Sequence, residues 1–206
     1  MTRTSSTTKG FTLIEMMVVI AIMGILAMIA LPAMRNMIRR NQIASASNAL
    51  LADLSYARTE AVNRGLYVSV CPSTDGQSCT TTTTYDTGWM VYSYAPGNAK
   101  ANTAFDSTSP STNLLLRYTQ PQQGTSIQGQ DNSSNGDVIS FDYQGQQKQS
   151  TSTAKKIDFV VCYRDGTTGV GTSTAPAQGV DVTLATSGAV STAPWSIGAT
   201  CTPAAP

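Results

Sequence analysis

The chain has 206 residues, with 13 basic and 12 acidic side chains and no histidine. Without histidine neither a Ser/His/Asp nor a Cys/His nucleophile arrangement can be built, and the usual general base near neutral pH is missing. From residue 66 onward six basic residues (Lys100, Arg117, Lys148, Lys155, Lys156, Arg164) stand against nine aspartates. That balance, near minus three, makes a poor surface for nucleic acid, whose nonspecific affinity is driven by Lys and Arg contacts to phosphate.

The amino-terminal end reads Lys9-Gly-Phe-Thr-Leu-Ile-Glu15 and then runs apolar to Pro32. Met16 to Met34 are 19 consecutive residues without a charge, close to the ~20 that a helix needs to cross the hydrocarbon core. Glu15 lies at the start of this run. A carboxylate inside a bilayer costs about 2.5–3.5 kcal/mol on insertion scales, so it is a functional candidate by default. The plainer account is an interfacial acid favoured by the helix dipole by about 0.3–1 kcal/mol. Positive charge does not orient the segment, since Arg3 and Lys9 stand on one side and Arg35, Arg39 and Arg40 on the other.

The combination of a short basic leader, the Gly-Phe-Thr-Leu-Ile-Glu string and an uninterrupted apolar stretch resembles the type III signal and N-terminal helix of the type IV pilin and pseudopilin superfamily. The resemblance implies that a prepilin peptidase cuts after Gly10 and N-methylates the new terminus, Phe11. A secretory signal would have its cleavage site after the apolar region; this cut precedes it, so the segment is expected to stay in the mature chain. Cleavage would free an ammonium on Phe11, and a buried charge is tolerable only when paired. Glu15 lies four residues along its own helix, so its partner is expected to be the terminus of a neighbouring subunit. That would make Glu15 an assembly determinant. Gly24 and Pro32 cost a soluble helix about 1 and about 3 kcal/mol, and membrane helices tolerate both better. By themselves they imply a kink. In pilins, matching residues bracket a stretch that melts and extends as the subunit leaves the membrane for the filament.

Met34, Met37, Ile38, Ala44, Leu50, Leu51, Leu54, Ala57 and Ala61 recur mostly at three- and four-residue spacing, with Arg35, Arg39, Asn41, Asp53 and Arg58 between them. This predicts an amphipathic helix to about Asn63, capped by Gly65. The string from Leu54 to Gly65, followed by Val68 and Cys71, resembles the GspH/FimT branch of pseudopilins, which includes FimU-type minor pilins. Arg58 and Glu60 within it read as solvated helix charges.

Past Gly65 come short β-branched and aromatic runs. Candidate strands are Tyr67 to Cys71, Trp89 to Tyr94, Asn113 to Thr119, Gly136 to Tyr143, Ile157 to Arg164 and Gly179 to Ala185, each with partial alternation. A further strand region is expected around Trp195 to Ile197. The threonines from Thr80 to Thr84 and the polar tract from Gln144 to Thr153 read as surface excursions, and Asp165-Gly166 as a turn. Asp137 and Asp142 are the nearest approach to a catalytic carboxylate pair and read as solvated loop-edge acids. Gly169-Val-Gly171 lacks the further glycine and the strand-to-helix context of a phosphate cradle, and the sequon Asn132-Ser-Ser134 is a chance-level match.

The four cysteines, Cys71, Cys79, Cys162 and Cys201, allow three connectivities. Sequence proximity favours Cys71 with Cys79, leaving Cys162 to tie the tail through Cys201. Such a bridge typically stabilises by about 2–4 kcal/mol, in the oxidising periplasm. A zinc site fits poorly: the spacing is wrong and histidine is absent.

The expected fold class is α+β, a long N-terminal helix packed on an antiparallel β-sheet head. The expected organisation is a cleaved leader over residues 1–10, a membrane helix over 11–34, an amphipathic helix over 35–65 and a periplasmic head over 66–206. The chain reads as no enzyme and needs no cofactor. By resemblance its partners are prepilin peptidase, other minor and major pilins or pseudopilins, and an inner-membrane assembly platform. Its location would be the inner membrane and then a filament, at the tip. The functions implied are a FimU-like minor pilin, a pseudopilin of type II secretion, or a DNA-capturing tip subunit. The last is disfavoured because no basic residue follows Arg164, whereas such receptors use arginines of a C-terminal Gly-Arg-x-Arg kind.

Overall fold

The computed structural model describes residues 10–94, 101–105, 107–108, 113–130, 138–149 and 156–204. The leader to Lys9, Lys100, Asp137, Lys155 and the sequon at Asn132 lie outside the described residues. The chain divides after Ile38 into two compact units. One helix, α1 (Leu13–Arg64, 52 residues), contributes its first half to the amino-terminal unit and its second half to the head.

In the amino-terminal unit α1 runs through Gly24 and Pro32 without a break. Proline has no N–H to give to the carbonyl four residues back, but most of the ladder around it survives. Every residue from Gly10 to Arg35 is exposed.

In the head, α1 buries a stripe of Ile43, Ala46, Ser47, Leu50, Asp53, Leu54, Ala57 and Ala61. The spacing is that of one helix face. Ala44, expected on this stripe, is exposed, and Asp53, expected in the polar intervals, lies within the stripe. Gly65 ends the helix with φ +65° and its N–H on Ala61 O at 3.0 Å, an αL cap that suits a residue without Cβ.

The strands form two antiparallel sheets. The first contains β1 (Tyr67–Pro72), β2 (Trp89–Tyr94), β3 (Asn113–Thr119), β5 (Ile139–Phe141) and β6 (Gln147–Lys148), in the order β3-β2-β1-β5-β6. The second contains β4 (Thr125–Gly129), β7 (Ile157–Tyr163), β8 (Val180–Leu184) and β9 (Val190–Pro194), in the order β4-β7-β8-β9. The helix and both inner faces share one core that includes Leu50, Leu54, Val68, Val91, Phe141, Phe159 and Leu184.

Both sheets are also covered outside. Met90, Tyr92, Tyr94 and Val138 form a second cluster with Cys71, against which Phe105 packs. Val160, Cys162 and Cys201 form a third, with Trp195 beside it. Strands buried on both faces lose the clean alternation of a half-exposed sheet, which is why the alternation in β1, β2 and β7 is only partial.

Three strands differ from expectation. β4 and β9 have no counterpart among the predicted runs, and β6 lies inside the tract read as a loop, with Gln147 buried. The region expected as a strand around Trp195 to Ile197 holds none; β9 ends before it, at Pro194. The hairpin turns of the two sheets meet at Gly145 and Gly188, both at positive φ. A Cβ on Gly188 would collide with the Gly145 carbonyl, so the close approach requires glycine there.

Candidate functional site

The functional candidates of the amino-terminal unit run from Gly10 and Phe11, just before α1, through Glu15 in its first turn to Gly24 and Pro32 further along it. Thr12 precedes the helix, and its Oγ1 accepts the Glu15 N–H at 3.3 Å, an N-cap bond to one of the orphan donors of the first turn. Glu15 is exposed there, where the helix dipole favours an acid. Phe11 is 78 % exposed. A Cβ added at Gly10 or at Gly24 would meet nothing within 4 Å. Neither glycine is explained by packing within the chain. The surrounding surface is a continuous run of exposed Met, Ile, Leu and Val from Leu13 to Met34, far more apolar area than water tolerates on an isolated protein. The helix is long and apolar enough to cross a membrane.

The head's chief polar feature is a carboxylate clasp that sequence reasoning missed. Asp53 is 3 % exposed. Its Oδ2 accepts Trp89 Nε1–H at 2.9 Å and Thr119 Oγ1–H at 2.6 Å, while Oδ1 accepts Arg117 Nη1–H at 2.6 Å. Arg117 also lies 4.2 Å over the Tyr56 ring. The clasp therefore joins α1 to β2 and β3. A buried charge so well supplied with donors is stable where an unpaired one is not. Its signal was available: Asp53 stands three residues after Leu50, on the buried stripe itself.

Other charges expected in solvent are also engaged. Arg58 Nε–H donates to Gly145 O at 3.0 Å, tying α1 to the β5–β6 turn. Glu60 pairs with Arg64 one turn on, at 2.5 Å. Asp142 is buried, accepts the Gln144 and Gln146 N–H groups at 2.9 Å each, and pairs with Lys148 at 3.3 Å. It closes a hairpin turn rather than standing at a solvated loop edge. Arg39 meets Asp165 at 3.5 Å and lies 4.5 Å over the Tyr163 ring. Arg164, after β7, ion-pairs with the wholly buried Asp86, whose carboxyl is pushed up by burial although the guanidinium opposes the shift. Lys156 pairs with Asp158 at 2.6 Å. Among the described residues no group of three His, Cys, Asp or Glu gathers as a metal site.

Cys71 is joined to Cys79 and Cys162 to Cys201, with Cα separations of 5.6 and 6.1 Å. The first bridge closes a short loop on the outer face of β1. The second crosses from the middle of one sheet to the tail, and a Cβ on Gly179 would lie 2.4 Å from Cys162 Sγ.

An exposed apolar helix opening on a capped glutamate, followed by a helix seated on antiparallel sheets, defines a pilin-like subunit. Comparison with known proteins places it further. The profile described as "Type II transport protein GspH" matches residues 46–188, and the "Prokaryotic N-terminal methylation motif" matches residues 5–31. The chain belongs to the GspH family. It is 31 % identical over 121 residues to a fimbrial protein of Pseudomonas aeruginosa, covering 59 % of this chain and 74 % of that one. It is 62 % identical over 40 residues to fimbrial protein EcpC of Eikenella corrodens, where the match spans 19 % of this chain and only 26 % of the relative. A crystal structure of the Pseudomonas aeruginosa type IV minor pilin FimU aligns over 75 % of this chain and 90 % of that one, with 19 % identity and a TM-score of 0.47. The relatives matched are named as fimbrial proteins and pilins, not as enzymes.

Proposed function

We propose that this chain is a minor pilin, a low-abundance subunit that enters a type IV pilus near its tip and helps to initiate assembly. Residues 1–10 are a leader removed by prepilin peptidase after Gly10. Phe11 becomes the methylated terminus, residues 11–34 anchor the subunit in the inner membrane, and 35–65 carry the periplasmic head of 66–206. Glu15 then pairs with the terminal ammonium of a neighbouring subunit. Gly24 and Pro32 let the intervening helix extend on leaving the membrane, and an inner-membrane platform drives that step. The observation that supports this most is the amino-terminal unit: an exposed carboxylate, Glu15, and two glycines, Gly10 and Gly24, that the chain's own packing does not require. The methylation motif over residues 5–31 supports the processing step.

A second reading has an observation in its favour. The matched family is described as a type II transport protein, which suits a minor pseudopilin of a secretion system built on the same parts. Cross-linking the endogenous protein in its membrane and identifying the attached subunits separates the two. Pilins among the partners support the first reading; secretion pseudopilins would replace it with the second.

A further inference from the structure

We infer that the free edge of β9 accepts an extended strand of another polypeptide, one carrying a lysine or arginine opposite Ala193. The register of β9 on β8 decides which backbone groups are available. Ala185 N–H donates to Ala189 O at 2.9 Å and Trp195 N–H to Gly179 O at 2.8 Å, so the alternation of antiparallel pairs turns Ser191 and Ala193 toward β8. Val190 and Thr192 therefore point their N–H and C=O away from the sheet. Pro194, which has no N–H, occupies the next outward position, where the existing ladder loses nothing by it. Among the described residues nothing pairs with these outward groups.

The opposite edge of the same sheet is closed by the chain itself. Along β4, Tyr85 N–H donates to Ile127 O at 2.9 Å and Gly129 N–H to Thr83 O at 2.7 Å. β9 also lacks the devices that blunt an edge in mid-strand: Val190 to Ala193 carry no charge and pair with β8 without a bulge. From Ser191 onward the strand is exposed. Such a row of open donors and acceptors is a template for a further strand, whose main-chain bonds supply most of the affinity.

Charge selects the occupant. Ala193 lies opposite Asp181, and Asp181 opposite Val160, which faces outward on β7. The three share the outer face of the sheet. Asp181 Oδ1 has no hydrogen-bond partner, and the carboxyl is held above the usual range by burial and then by the nearby Asp158. Lys156 is engaged with Asp158 at 2.6 Å. A residue opposite Ala193 on an added strand would stand two strand spacings, about 10 Å, from the Asp181 backbone. Only a methyl lies between, so a lysine or arginine reaches across it, whereas an acid there meets a second acid. A pocket of about 300 Å³, lined in part by Thr192, Ala193 and Pro194, leaves room for that side chain.

Solution NMR of the full chain in detergent micelles tests this with two blocked hexapeptides, Thr-Val-Thr-Lys-Val-Thr and the same sequence with glutamate in place of lysine. The lysine peptide should shift the Val190 and Thr192 amides saturably at millimolar concentration and leave those of Ala57 and Ala61 unmoved. The glutamate peptide should bind at least about fivefold more weakly, and Asp181→Asn should erase that difference. Thr192→Pro, which removes one outward N–H and none that β8 uses, should abolish binding of both; should that variant not fold, the two peptides decide the matter in wild type alone. Shifts that do not saturate, or that fall away from β9 and β8, would overturn the strand addition. Equal binding of the two peptides by wild type would overturn the choice of a basic strand. Self-association that moves Val190 and Thr192 with no peptide present would overturn it in favour of a second copy of this chain.

Discussion

The two halves of α1 obey different rules. From Gly10 to Arg35 every residue is exposed, and no polar or small residue finds a reason for its identity in a tertiary contact. From Ile43 to Ala61 the helix is explained from within: its apolar stripe fills the head's core, Asp53 is answered by Trp89, Thr119 and Arg117, and Arg58 by Gly145. One continuous helix thus carries a segment whose residues its own fold does not explain and a segment that its own chain explains. Substitutions in the first should change processing and assembly with little effect on head stability. Substitutions in the second should do the reverse.

The sharpest way to break this division is Gly10→Ala. A methyl there touches nothing in the chain, so folding should be untouched. If a peptidase must admit this backbone, the full-length precursor should accumulate, as intact-mass measurement of the membrane fraction would reveal. Normal maturation would remove Gly10 from the site.

Asp53→Ala is the mirror experiment. It strands three donors, the buried Trp89 indole, the half-buried Thr119 hydroxyl and the exposed Arg117 guanidinium, and should cost about 3 kcal/mol in denaturant unfolding of the head, with precursor processing unchanged. A cost under about 1 kcal/mol would mean the clasp only replaces equivalent bonds to water.

Two glycines sharpen the contrast at smaller scale. Gly179→Ala puts a methyl on Cys162 Sγ and should destabilise by about 1–3 kcal/mol, the usual cost of overpacking. Gly24→Ala meets no atom and should leave head unfolding unaltered, while any effect appears in the filament. Equal stability losses at both positions would erase the distinction.

The smallest effect concerns Asp181, which lies opposite Val160 on β8. Its carboxyl is held above the usual range by burial and then by the nearby Asp158, against the pull of Lys156. The folded protein therefore binds this proton more tightly than the unfolded chain does. Above the raised pKa the ionised group penalises folding, and the penalty fades as pH falls through it. Asp181→Asn should gain up to about 0.5 kcal/mol at neutral pH, and the gain should shrink on acidification. A gain that grows toward acid would reverse the assignment.

What could be read in advance follows the same division. The amino-terminal string was legible as a methylation motif, matched over residues 5–31, because such a motif lies in consecutive residues and not in a fold. β1, β2, β3, β7 and β8 were visible as branched and aromatic runs, and the GspH/FimT resemblance of the Leu54–Gly65 string led to the right family. β4 reads Thr-Ser-Ile-Gln-Gly and β9 Val-Ser-Thr-Ala-Pro; composition alone does not tell them from the polar loops around them. They become strands because β7 and β8 offer edges to pair with. Asp53, Arg58 and Asp142 were misread for a related reason. A charged residue looks solvated until the partners that hold it, distant in sequence, are folded against it.

The central claim is that Glu15 serves a contact between subunits and nothing within its own. The direct measurement is the stoichiometry of the Glu15→Val protein in sheared filaments, set against the amount of mature protein in the membrane. The account predicts a normally inserted, normally processed protein that is depleted from filaments while its head unfolds as wild type does. Recovery of the variant in filaments at wild-type stoichiometry would contradict it.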